Sequence, residues 1–288
     1  MAEVSPTLRR RRLAAELRRL REAADLNGAQ VAKKLGWSTS KISRIETGQV
    51  VPQRKDVQDL LKCYGTPKVR AALLMGLAAD AERKGWWEAY ASDLHDVLST
   101  YIGLESEAAE ILGWQTSVVP GLLQTREYAL AVNGLDLILG STSPARVERT
   151  VEIRLRRQAR LSAPTPLVLS MIIDEAVLLR RYGDEDVMRG QLLHLLKAAE
   201  LPNVTLRVLR LADRHPAAWT DSLLLRFPEV EGLGQLSGDV LYSQSFNTQA
   251  IEEDEQITYN FSVVFDHLSD AALDVDDSRD LISALAAV

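Results

Sequence analysis

The sequence predicts an α+β protein in two parts, an all-α head over residues 1–84 and a mixed domain with a small sheet over residues 85–288. Three observations predict it. Apolar residues recur at helical spacing through the first part. In the second part, short apolar or alternating runs at 167–173, 203–211, 223–227 and 239–243 read as strands between helical stretches. Charge divides the chain at about the same place. Residues 1–70 hold 16 Lys and Arg against 7 Asp and Glu, and residues 71–288 hold 18 against 33, within an overall formal charge of −6. A basic head on an acidic body suits one module that meets phosphate and another that does not.

A first helix is expected over 7–24, with Leu8, Leu13, Leu17, Leu20 and Ala24 on one face. Arg9, Arg11, Arg12, Arg18 and Arg19 fall on the other, either as a solvated face or as contacts to a phosphate backbone. Residues 26–48 read as two short helices joined by a tight turn, bound into one unit by Val31, Leu35, Ile42 and Ile45. Gly36 sits where the first of the pair must stop, because glycine adopts positive φ without steric cost. Ser38 offers an oxygen to cap the second. That helix carries Thr39, Ser40, Lys41, Ser43 and Arg44, all able to reach phosphates or base edges. This is the layout of a helix-turn-helix reader of the DNA major groove.

Pro52 ends a linker, and a fourth helix is expected over 53–64 with Cys63 buried in its apolar stretch. Thr66-Pro67 reads as a cap followed by proline at the first helical position, starting a fifth helix that runs to about residue 84. Gly85 breaks it. Residues 86–139 read as mixed and mostly helical, with a turn at Val119-Pro120-Gly121 and a helix over 125–133. A loop over 140–144 leads to an arginine-rich helix over 145–161. Asp174 is placed to cap a helix after the strand at 167–173, and another helix covers 184–200. The glycine-rich stretch 232–238 separates two strands. A long helix is expected over 252–273, opened by Glu252-Glu253-Asp254-Glu255 and facing inward through Ile257, Phe261, Val264 and Leu268. A last helix over 278–288 is capped by Ser278.

Enzyme chemistry finds no support. The four histidines, His95, His194, His215 and His267, lack metal-ligand spacing, so no metal and no cofactor is expected. Neither a Gly-x-Ser-x-Gly elbow nor a Gly-x-x-x-x-Gly-Lys loop occurs, and Gly232, Gly234 and Gly238 miss the dinucleotide spacing. The single cysteine forbids a disulfide within the chain. No apolar run reaches membrane-spanning length and the arginine-rich start is no secretory signal, so a cytoplasmic location is expected. Two features of the second domain are candidates for a ligand or partner. Arg154, Arg156, Arg157 and Arg160 share one helix and either meet an anion or pair with the domain's own carboxylates. Trp86, Trp87 and Trp114, with Trp219, either line a pocket or form core.

With these residues in view, positions 7 to about 66 resemble the helix-turn-helix domain of the Xre, Cro and lambda-type repressor family. The resemblance rests on Leu17-Arg18-Arg19-Leu20-Arg21, Val31-Ala32, Leu35-Gly36 and Ile42-Ser43-Arg44-Ile45-Glu46-Thr47-Gly48. It implies a lambda-repressor-like all-α fold in which Ser38, Thr39, Ser40 and Lys41, with Arg44 one turn on, touch DNA. It also implies a structural pair between Arg21 and Glu46, and an inward-packing Trp37. Gly28 departs from the glutamine that family members often carry there to hold a phosphate. A backbone N–H at Gly28, or the side chain of Gln30, is the candidate substitute.

The remainder resembles the actinobacterial Scr1-family antitoxin-like regulators. The matching stretches are Val119-Pro120-Gly121-Leu122-Leu123-Gln124-Thr125, Arg157-Gln158, Asp174-Glu175-Ala176, Gln191-Leu192 and Glu200-Leu201-Pro202-Asn203-Val204. The expectation is a sequence-specific regulator of transcription that binds double-stranded DNA as a homodimer on an inverted repeat, with a sensing or dimerisation domain behind it. The resemblance adds a small protein partner encoded nearby. The alternative is an antitoxin-like protein that sequesters such a partner, with DNA binding secondary.

Overall fold

The computed structural model describes residues 6–81, 85–90, 92–134, 142–216, 220–229, 238–245 and 248–287, with side chains from Arg9 onward. The predicted expectations at Leu8, Trp219, Gly232 and Gly234 lie outside what it describes. An N-terminal helical region is followed by a mixed α/β domain on a six-stranded mixed sheet.

Five helices build the head: α1 (Pro6–Ala23), α2 (Gly28–Leu35), α3 (Thr39–Glu46), α4 (Arg54–Cys63) and α5 (Lys68–Ala81). Leu13, Leu17, Val31, Ile42, Ile45, Val57 and Leu60 meet in one core. Each such side chain contributes roughly 1.5–3 kcal/mol by leaving water. Asn27 caps α2 in a reciprocal box with Gln30, and Gly36 ends it at φ 67°. Ser38 caps α3 through the Lys41 N–H. Two details differ from expectation. Among the described residues the Thr66 hydroxyl is buried without a hydrogen-bond partner rather than capping α5, and Cys63 is only half-buried at the edge of the core.

The second part opens with a 3-10 turn, Trp86–Tyr90, and then α6 (Asp96–Glu107). The sheet order is β3-β2-β1-β4-β5-β6, from β1 (Glu110–Gln115), β2 (Val168–Asp174), β3 (Val204–Leu209), β4 (Ser222–Arg226), β5 (Val240–Gln244) and β6 (Gln249–Glu252). The first three are parallel; β4, β5 and β6 continue the sheet antiparallel from β1. Helices α7 (Arg126–Val132) and α8 (Pro144–Arg157) lie between β1 and β2, and α9 (Glu175–Leu179) and α10 (Glu185–Ala198) between β2 and β3. Such crossovers are what parallel pairing requires. After β6 come α11 (Glu255–Ala271) and α12 (Val275–Ala286).

The two sheet faces carry different cores. Leu112, Trp114, Ile172, Leu224 and Leu241 pack on Phe261, Phe265 and Leu268 of α11. Ile111, Leu169, Met171, Leu206 and Tyr242 face the opposite layer, which holds α6, α10 and α12.

Strands β1 and β6 were not expected. β1 lies in the stretch read as mostly helical, and β6 takes Glu252 out of the helix it was expected to open. That helix starts at Glu255 with Asp254 accepting from the N–H groups of Gln256 and Ile257. Its inner face runs through Thr258, Phe261, Phe265 and Leu268, leaving Ile257 37% exposed. Ser278 does not cap α12, because Asp274 does. Ser278 is buried one turn later, and its Oγ accepts the Val208 N–H at 3.0 Å, tying α12 to β3.

Candidate functional site

The head sets α3 on its surface with one face in the core. Ile42 and Ile45 are buried, while Ser38, Thr39, Ser40, Ser43 and Arg44 are exposed. Arg44 makes one long contact to its own helix, Nε to the Ser40 carbonyl at 3.4 Å. The position of α3 is fixed at both ends. At its C-terminus, Arg21 of α1 donates from Nε to both Glu46 oxygens, at 2.8 and 3.0 Å, and from NH1 to the Leu26 carbonyl at 2.8 Å. The Tyr64 hydroxyl adds a contact to Glu46 at 3.3 Å. Burial and then the Glu46 charge push the Tyr64 pKa upward.

At the N-terminus of α3, Lys41 is half-exposed and already engaged within the head. Its Nζ donates to Asp56 of α4 at 2.8 Å and lies 3.8 Å from the centre of the Trp37 ring. Trp37 itself packs against the head core.

Gly28 is half-buried at the first turn of α2, and a Cβ there would meet Ile42 only at 3.9 Å, so space alone does not demand glycine. Gln30 is exposed, but its side-chain oxygen is taken by the Asn27 N–H at 2.7 Å. Only its amide N–H groups remain to reach outward.

The α1 arginines separate into two sets. Arg18 and Arg19 stay on acids of their own helix, Glu22 and Glu16. Arg9, Arg11 and Arg12 instead reach the second part of the chain. Arg9 and Arg12 lie 3.8 and 3.6 Å from Glu107 at the end of α6, and Arg11 pairs with Glu253. Arg12 is buried beneath Phe227, 5.7 Å from its ring centre, and desolvation lowers its pKa. Three arginines expected on a solvated or phosphate-facing side are thus interdomain contacts.

In the second part, the arginine helix α8 is mostly engaged internally. Arg157 donates to both oxygens of buried Glu105, at 2.7 and 2.6 Å, and Glu105 also accepts the Tyr101 hydroxyl at 2.6 Å. Desolvation pulls the Arg157 pKa down, but the charge and hydrogen bonds of Glu105, with Tyr101 and Tyr242, together outweigh it and the net shift is upward. Arg156 stacks on Trp86 at 4.3 Å, and Arg160, which lies not on α8 but in the 3-10 segment Gln158–Ser162 after it, donates to the Thr165 and Ala108 carbonyls. Arg154 donates to the Gln124 side-chain oxygen at 2.5 Å. Trp87 and Trp114 are core, on opposite sheet faces.

A cavity of about 460 Å3 in this domain is lined, among the described residues, by neither Trp86, Trp87 nor Trp114. It is bounded by Tyr101, Gln124, Arg154, Met171 and Tyr242, with β1 crossing its floor. A Cβ at Gly113 of β1 would sit 2.3 Å from the end of the Met171 side chain and 2.6 Å from that of Leu223, so both would have to shift to admit one. Gln124 escaped sequence reasoning. It is buried, donates to the Val119 carbonyl at 2.6 Å, and accepts from Arg154.

Residues 12–74 match a helix-turn-helix domain, and residues 98–284 match the family described as a domain of unknown function (DUF5753). The second match spans well over half the chain. The chain belongs to the DUF5753 family. No curated protein and no solved structure matches it. In this DUF5753 protein the helix-turn-helix match covers α2 and α3, which points to DNA binding by the head. Among the described residues, no helix is long and apolar enough to cross a membrane, and no cluster of three His, Cys, Asp or Glu could hold a metal.

Proposed function

We propose that this chain is a sequence-specific regulator of transcription. The observation that carries the reading is the surface of α3. Thr39, Ser40, Ser43 and Arg44 are exposed together on a helix whose other face is core and whose end Arg21 clamps. Hydroxyls at the start of a recognition helix bond to base edges or phosphates, and an arginine one turn on can take guanine through two hydrogen bonds. In this reading residues 1–84 are the DNA-binding unit and residues 85–288 the sensing or dimerisation unit. The chain carries out no reaction and works in the cytoplasm.

A homodimer on an inverted repeat is the assembly proposed, with half-sites about one helical turn apart. Support comes from α5, where Val69, Ala72, Leu73 and Gly76 form an exposed stripe at helical spacing and Val69 is 78% exposed. The second reading is an antitoxin-like protein that sequesters a small partner encoded nearby. The resemblance of the 119–125 stretch to Scr1-family regulators favours it.

A gel-shift series against the chain's own promoter region tests the choice. Arg44→Ala, with its fold intact by circular dichroism, should lose selectivity for that region over random DNA. Unchanged selectivity removes Arg44 from the reading surface. A stable complex with the neighbouring small protein, together with no selective site on DNA, favours sequestration.

A further inference from the structure

Among the described residues, one charge on the wall of this second-domain cavity, that of Arg154, is in no ion pair. Arg154 lines it, and among the described residues its guanidinium has one hydrogen-bond partner, the neutral amide oxygen of Gln124. Burial, with the neighbouring charge of Arg157, lowers its pKa to about 10, which leaves it protonated at neutral pH. The carboxylate of Glu105 is not available to it, since Arg157 occupies both oxygens. Asp221 also lines the cavity, but its Oδ1 accepts from the N–H and the hydroxyl of Thr116, both at 2.7 Å. No ion pair joins Asp221 to Arg154 among the described residues. A charge withdrawn from bulk water calls for an opposite charge or a full set of hydrogen bonds.

The rest of the wall is suited to an organic body. Leu98, Ile153, Leu169 and Met171 line it with the stacked rings of Tyr101 and Tyr242, whose centres are 4.1 Å apart. The volume lies within the range of small-molecule sites. Gln249, also on the lining, has a buried side-chain oxygen with no hydrogen-bond partner among the described residues, and so offers an acceptor to a ligand N–H or O–H.

We infer that this cavity binds a small organic anion, a carboxylate on an apolar body, with Arg154 taking the carboxylate and Gln124 holding Arg154 in place. The Arg154 fork fits a carboxylate through two parallel hydrogen bonds. The inference gives the sensing unit a ligand class, and it rests on the proposed function only for its regulatory consequence.

The test uses the full chain without DNA and the fluorescent anion 1-anilinonaphthalene-8-sulfonate as reporter. Displacement by 4-phenylbutyrate is compared with displacement by its neutral amide, 4-phenylbutyramide, which has the same shape. The acid should displace the reporter at a concentration roughly tenfold lower than the amide. Arg154→Met should erase that difference, and Leu223→Trp, which fills the cavity with Arg154 intact, should abolish binding of all three compounds. Equal displacement by acid and amide on the unaltered protein overturns the inference, and that comparison needs no variant to fold. So does the absence of binding by any of the three up to millimolar concentration, or an acid preference that survives in a folded Arg154→Met. Gel shifts on the same proteins keep the two readings apart, because loss of anion preference with DNA binding retained speaks only to the cavity.

Discussion

Arg21 of α1 grips Glu46 of α3 with both carboxylate oxygens within 3.0 Å of one guanidinium nitrogen, across 25 positions of sequence. Both side chains are largely shielded from water. The contact ties the far end of α3 to α1, the longest described helix of the head. Glu46→Ala strands the Arg21 charge and should cost about 3 kcal/mol of stability. Urea denaturation measures it. Arg21→Ala should cost a similar amount, and the double variant less than the sum of the two.

The buried pair in the second domain behaves in the same way with higher stakes. Glu105→Ala leaves Arg157 without its carboxylate inside the core, and about 3–5 kcal/mol is the expected loss. Denaturation followed by tryptophan fluorescence checks it. A loss below about 1 kcal/mol would show that water reaches the pair and carries the charge instead.

Glu16 gives the head an acid sensitivity of defined sign. Burial alone would push its carboxyl upward, but hydrogen bonds from Arg19 and Arg70 outweigh that and hold it below the ordinary glutamate value of 4.5. As pH falls, the unfolded chain takes up this proton first. The contribution is therefore complete above pH 4.5 and is lost as pH drops through the lower folded value. Glu16→Gln should lower stability at neutral pH and flatten the acid limb, as read by hydrogen exchange of α1 amides at several pH values.

Contact between head and body converges on Glu107. Removing it in Glu107→Ala deprives Arg9 and Arg12 of a nearby carboxylate, so faster proteolytic cleavage between the two parts is expected. Arg12→Met is a different case. Among the described residues the Arg12 Nε and Nη2 are buried without hydrogen-bond partners, and an apolar side chain of similar length should leave stability unchanged or raise it. A clear loss in Arg12→Met would mean that its charge is better compensated than its geometry indicates.

The head was legible because its signals are local. The Gly36 stop, the Ser38 cap and the periodic apolar residues each act within four positions of themselves, and all recur in the structure. Strand β1 was hidden for the opposite reason. Ile111, Leu112 and Trp114 are buried on both faces of a central strand, which erases the alternation that marks a half-buried one. Long-range pairing was equally invisible. Arg9, Arg11 and Arg12 look like a basic stripe until the fold brings Glu107 and Glu253 to them. Among Arg154, Arg156, Arg157 and Arg160, composition could not separate Arg157, which is paired, from Arg154, which faces a cavity. That distinction depends on Glu105 and Gln124, contributed by two other segments of the chain.

The exposed face of α3 is the centre of the account, and selection of bound sequences from a random duplex pool by the purified full chain tests it most directly. The account predicts an enriched inverted repeat with half-sites about one helical turn apart. In Arg44→Ala one base preference in each half-site should relax, at a cost of about 1–3 kcal/mol at that position. A pool that emerges without any enriched sequence, or the same repeat selected equally well by a folded Arg44→Ala, would contradict it.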